Sequence, residues 1–176
     1  MQRIPKIPKM VWISAIVFSL NYGVWYYLNY RIWYDTYDWV GRAAVSSHAE
    51  DMAQYLDKAI NGMKAWGFTH GYAALIFKSP ANDMSLIMKS LERTKNRAER
   101  LSQEFLSGNP GAGRITAVDY NQALDDLRST LTEYPLQADY YWDVHLPGII
   151  VSAIYYLSLI LLVIAVVRPL VKLEAS

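Results

Sequence analysis

The sequence predicts an all-α membrane protein, with two transmembrane helices bracketing a helical extracytoplasmic bundle. Three observations predict this class. Pro147–Val167 is a 21-residue run without a charge, and at 1.5 Å rise per residue it reaches roughly 30 Å, the thickness of a bilayer's hydrocarbon core. A second apolar run, Met10–Tyr30, lies near the N-terminus. Between the two, apolar residues recur at three- and four-residue spacing over three stretches, which is the pattern of amphipathic helices.

Composition agrees. The chain has 176 residues, 53% hydrophobic and 19% charged, so part of it suits lipid and part suits water. A net charge of +1 creates no field that favours nucleic acid or an acidic partner. The absence of cysteine excludes disulfides, thiolate metal sites, iron–sulfur clusters and covalently attached c-type haem.

Residues 1–9 carry Arg3, Lys6 and Lys9, and Pro5 and Pro8 oppose a regular helix there. The run that follows is too long for the apolar core of a signal peptide, and no small-x-small cleavage site follows it. Met10–Tyr30 is therefore expected to remain as the first span. It contains Ser14, Ser19, Asn21 and Gly23, and polar positions of this kind mark a face packed against protein. Arg168 and Pro169 are expected to end the second span at Val167. The divisions that follow are a basic tail 1–9, a span 10–30, a domain 31–146, a span 147–167 and a tail 168–176. The middle segment has 12 Lys and Arg against 15 Asp and Glu, whereas both short tails are basic. The positive-inside rule then puts both termini in the cytoplasm and residues 31–146 in the periplasm of a bacterial inner membrane.

Aromatic residues crowd the ends of the middle segment. Trp25, Tyr26, Tyr27, Tyr30, Trp33, Tyr34, Tyr37 and Trp39 form one cluster, and Tyr134, Tyr140, Tyr141 and Trp142 another. Such rings suit the membrane–water interface, apolar at one end and wet at the other. The clusters exceed what two helices need as anchors. Asn21, Trp25, Tyr30, Trp33, Tyr34, Tyr141 and Trp142 are accordingly the expected contacts with partner subunits, or with a quinone-type head group.

Within the domain, residues 43–66 read as one amphipathic helix on Val45, Ala49, Met52, Leu56, Ile60, Met63 and Trp66, with Ser47 and Glu50 placed for a capping box. Gly62, Gly67 and Gly71 weaken its end, and residues 67–72 are expected to bend. His70–Lys78 reads as a helical turn or the start of a hairpin. Residues 83–106 form the clearest soluble helix, capped by Asn82 or Asp83. Its charges, Lys95 and Glu99 among them, read as a solvated face. Ser107–Gly113 reads as a turn; no strand precedes its glycines and no Lys-Ser/Thr follows, which removes a phosphate-loop reading. Residues 117–134 form a further helix, capped by Thr116 with Asp119 in its first turn.

Reactive chemistry is sparse. His48 and Met52 are four residues apart on the expected helix 43–66 and are weak candidate ligands for copper or haem iron. His145 with Asp143 and Asp139 is a conceivable cation site with nothing to fix its geometry. No nucleophile or zinc-protease motif occurs, so no catalytic residue and no cofactor is expected, and an enzyme acting alone is not expected either.

The segment Val166–Ser176, through Arg168, Pro169, Leu170 and Leu173, resembles the junction between a second transmembrane helix and a HAMP linker in bacterial receptors. The order of basic tail, span, helical domain and span also resembles such a receptor. The resemblance implies a ligand-sensing, signal-transmitting homodimer, although the sequence stops at Ser176, short of a HAMP domain. The residues themselves favour a non-catalytic accessory subunit of a larger membrane complex, with the lipid bilayer and other membrane subunits as partners and no nucleic acid.

Overall fold

The computed structural model describes residues 9–74, 76–107, 115–133, 142 and 145–174. Regular structure among them is helical, apart from one isolated antiparallel bridge between Tyr72 and Asp83. The helices are α1 (Lys9–Asp35), α2 (Tyr37–Ala44), α3 (Ala49–Ala65), α4 (Met84–Ser107), α5 (Ala117–Glu133) and α6 (Leu146–Glu174). The chain divides into two compact units, residues 1–30 with 145–176, and residues 31–144.

Two helices are long and apolar enough to cross a membrane. Pro147–Arg168 has a mean hydropathy of 2.8, and Lys9–Ala44, which joins α1 and α2 across Thr36, reaches 1.3. Almost none of either apolar stretch is covered by the chain itself: 0% of the α1 window and 6% of the α6 window are buried. Large side chains such as Trp12, Leu20, Ile154 and Leu157 face outward along these helices. An apolar helix exposed around its girth suits lipid or another apolar helix, not water. Rings join α1 to α6. Tyr155 lies 5.4 Å from Trp25 in a stacked pair, 5.7 Å from Phe18 and 6.3 Å from Tyr22.

One expectation for this unit is corrected. Arg168 and Pro169 do not end the helix; α6 runs through them to Glu174. Proline removes a single N–H, the one that would bond the carbonyl four residues back. That missing bond does not stop propagation through Leu170–Leu173, all of which tolerate helix.

The second unit is a helical bundle. α3 packs against α4 and α2, and α5 packs against α2 and α4. Its core is the apolar stripe of each helix: Met52, Leu56, Ile60 and Met63 from α3, Met84, Ile87 and Leu91 from α4, Val40 and Ala43 from α2, and Leu124, Leu127 and Leu131 from α5. Full burial of one such side chain contributes about 1.5–3 kcal/mol. Ile32 and Phe68 complete the core.

Three helix ends follow local rules, and one expected helix does not. α3 stops in a Schellman turn: Phe68 N donates to Met63 O (2.8 Å), Gly67 N donates to Lys64 O (3.1 Å), and Gly67 takes φ +76°. α4 is capped by Asp83, whose carboxylate accepts from Ser85 N at 2.9 Å. α5 starts in a reciprocal cap: Asp119 N donates to the Thr116 hydroxyl, and Thr116 N donates to the Asp119 carboxylate. The exception is the expected helix 43–66. The chain breaks after Ala44, Val45 is 79% exposed, and α3 begins only at Ala49. The Ser47–Glu50 box does not form, since His48 is the N-cap and its side chain makes no cap bond. Distant residues serve the break instead. The Tyr120 hydroxyl accepts from Ala49 N (2.8 Å), and the Arg128 guanidinium donates to Ser46 O (3.0 Å from Nε).

The turn at 108–113, Tyr134, and residues 135–141, 143 and 144 lie outside the described residues.

Candidate interaction surfaces

The aromatic residues expected to form one interface are divided by the fold into separate contacts. On α1, Trp25 is half-buried against Tyr155, and Asn21 is half-buried without a side-chain hydrogen bond to any described residue. Asn29, two turns further along, donates instead to the Trp25 carbonyl at 2.9 Å. Tyr30 is 48% exposed.

In the 31–144 unit, Trp33 is exposed, and Tyr34 meets Trp39 edge-on at 6.0 Å. Trp39 also stacks on Tyr55 of α3 at 6.0 Å. Two cations flank the Trp39 ring. Lys58 Nζ is 4.3 Å from its centre and the Arg42 guanidinium 5.3 Å, the latter held by Asp38 at 2.8 Å. A cation over an indole face is worth about 0.5–1 kcal/mol at an exposed site, so this ladder fixes α2 against α3.

A second contact is set by Gly62. Trp66 Nε1 donates to the Asp35 carboxylate at 3.1 Å, and the backbone of α3 at Gly62 lies so close to the Asp35 carbonyl that no Cβ fits between them. Trp142 packs edge-on to Trp66 at 5.7 Å, and its buried Nε1 has no hydrogen-bond partner among the described residues. Tyr141 lies outside the described residues. Spacing alone pointed to neither Asp35 nor Tyr155, and Gly62 was read only as weakening a helix end, not as the site of a close approach.

An open cleft of about 640 Å³ lies along α3 and α4, with Glu50, Asp57, Lys58, Lys95, Glu99 and Gln103 among its lining residues. Lys95 bridges the helices, 2.5 Å from Asp57 and 3.6 Å from Glu99. The hydrogen bond from Lys95 holds the Asp57 carboxyl below its ordinary range, and the same bond raises the Lys95 ammonium. Lys64–Glu92 and Arg97–Asp126 link helices in the same way. Three charges of α4, Glu92, Lys95 and Arg97, thus pair across helix seams while staying partly exposed on the solvated face.

His48 and Met52 do not form an open ligand pair. His48 is exposed at the start of α3, whereas Met52 is fully buried in the core. A helical four-residue spacing needs both residues inside the helix, and His48 has the extended backbone of an N-cap. No group of three or more His, Asp or Glu side chains suited to a metal occurs among the described residues.

Comparison with known proteins yields no relative: no family model, curated protein or solved structure matches this chain.

Proposed function

We propose that this chain is a non-catalytic accessory subunit of a larger integral membrane complex, to which it contributes two spans and a helical docking domain. The observation that carries this reading is Asn21. It is a half-buried amide on a lipid-length helix, and the chain offers its side chain no hydrogen bond among the described residues. A side-chain amide in hydrocarbon gains about 0.6–2 kcal/mol from an interhelical partner, and a neighbouring subunit can supply one. The outward apolar girth of α1 and α6 supports the same reading. Charge placement supports an inner-membrane location with both termini in the cytoplasm and the 31–144 unit in the periplasm. The test is mild-detergent purification of the full chain followed by mass spectrometry of the intact assembly. Partners of other sequence are expected, and Asn21→Leu should lower their occupancy. A solitary chain, or unchanged stoichiometry in the variant, overturns the proposal.

A second reading is favoured by α6 itself. The helix is continuous through Arg168 and Pro169 to Glu174, as a rod passing a signal out of a bilayer would be. A homodimer without other subunits in the same measurement supports this sensor-and-transducer reading.

A further inference from the structure

The 31–144 unit buries most of its large apolar side chains, yet the consecutive residues Ile76 and Phe77 are 80% and 84% exposed. The loop that carries them is braced at its neck. Tyr72 and Asp83 form the antiparallel bridge, Ala73 N donates to Asn82 O at 2.8 Å, and Met84 N donates to Gly71 O at 2.9 Å. It is braced again from inside. Asn82, only 9% exposed, donates through Nδ2 to the Phe77 carbonyl at 2.7 Å and accepts at Oδ1 from Ser79 N at 3.0 Å. A buried amide therefore holds the Phe77 main chain while its ring points to solvent. Lys78, the next residue, is exposed and keeps its ammonium 5.4 Å from the Tyr72 ring centre.

We propose that this loop is a lipid-contacting tip, with Ile76 and Phe77 entering the interfacial layer of a bilayer and Lys78 meeting lipid phosphates. The chemistry is that of interfacial anchors, in which apolar side chains sit below the headgroups and a long cationic chain reaches back to them. The chain itself names lipid as the occupant. Two helices of the chain are long and apolar enough to cross a membrane. At the N-terminal junction α1 carries the chain without a break into the 31–144 unit, as far as Asp35.

The absence of cysteine makes the test direct. Full-length Ile76→Cys, labelled with an environment-sensitive nitrobenzoxadiazole dye, is reconstituted in vesicles of phosphatidylcholine and phosphatidylglycerol. Blue-shifted emission, quenched by doxyl groups placed shallowly in the lipid, is expected. Adding Phe77→Asp should abolish both, and a label at Gln103→Cys should report water throughout. Water-like emission from position 76 in protein that floats with the vesicles overturns the proposal. So does blue-shifted emission that lipid-borne doxyl groups leave unquenched, since a second protein surface then covers the tip. Protein that fails to float with the vesicles refutes the two spans on which the inference rests, a result distinct from failure of the tip.

Discussion

Gly62→Ala adds a single methyl group where α3 meets the main chain at Asp35. An ideal Cβ there falls on the Asp35 carbonyl oxygen, 2.8 Å from its carbonyl carbon and 3.4 Å from its Cβ. The obstructing atoms are mainly backbone, so no rotamer change relieves them. Helix propensity acts the other way, since alanine inside a helix is better than glycine by about 1 kcal/mol. Overpacking costs about 1–3 kcal/mol, and forcing α3 away from Asp35 strains the Trp66–Asp35 hydrogen bond, worth about 1 kcal/mol more at a half-buried site. The balance is a net loss of about 1–3 kcal/mol, or roughly 5–15 °C in Tm for a unit of this size. Gly41→Ala is the matched control. Its added methyl meets nothing within 4 Å, so α2 should gain about 0.5–1 kcal/mol. Denaturant unfolding of the full chain in micelles, followed by near-ultraviolet circular dichroism of the tryptophans, measures both. A Gly62→Ala protein as stable as the parent would refute the close approach of α3 to Asp35.

The Lys95–Asp57 bridge predicts a shallow pH dependence. Asp57 titrates below its ordinary value, so its contribution is complete above the unfolded pKa of about 4 and is lost as pH falls through the folded one; Lys95 titrates above its ordinary value, so its contribution is complete below about 10.4 and is lost as pH rises further. Both groups are partly exposed, which limits the pair to about 0.2–1 kcal/mol and makes it sensitive to salt. Urea midpoints should be flat between these limits, and Asp57→Asn should lower the plateau while flattening both edges; an unchanged midpoint leaves the bridge without energetic weight. At the start of α5, Thr116→Ala should cost about 1 kcal/mol and Thr116→Ser much less. The loss should show as faster amide exchange in the first turn of α5, and equal exchange in the two variants would dismiss the reciprocal cap.

How much was legible depends on how far away the deciding atoms lie. The two lipid-length apolar helices, the α4 stripe and the Thr116 cap follow from neighbours in sequence. The interruption between Ala44 and Ala49 did not follow, because apolar spacing passes unbroken across Val45–His48. Its cause is the Tyr120 hydroxyl and the Arg128 guanidinium, which arrive from 71 and 82 residues further along the chain. The aromatic collar was legible as composition and not as geometry. Trp25 pairs with Tyr155, Trp39 with Tyr55 and Trp66 with Trp142, and which ring meets which depends on packing that local spacing does not encode.

Three asparagines separate what the chain explains by itself from what it leaves to its surroundings. Asn82 is buried and uses both ends of its amide within its own loop. Asn29 sits on α1 and donates to the backbone carbonyl four residues back, a bond open to any asparagine at that depth of a helix. Asn21 lies on the same helix, and the corresponding carbonyl is that of Val17, yet its amide does not take that bond. Half-buried, it makes no side-chain hydrogen bond among the described residues. On the proposed function, a side-chain amide of a neighbouring subunit's helix would complete Asn21, a gain of about 0.6–2 kcal/mol in hydrocarbon. The accessory-subunit proposal rests on that reasoning, and replacement of this one amide by leucine puts it at risk.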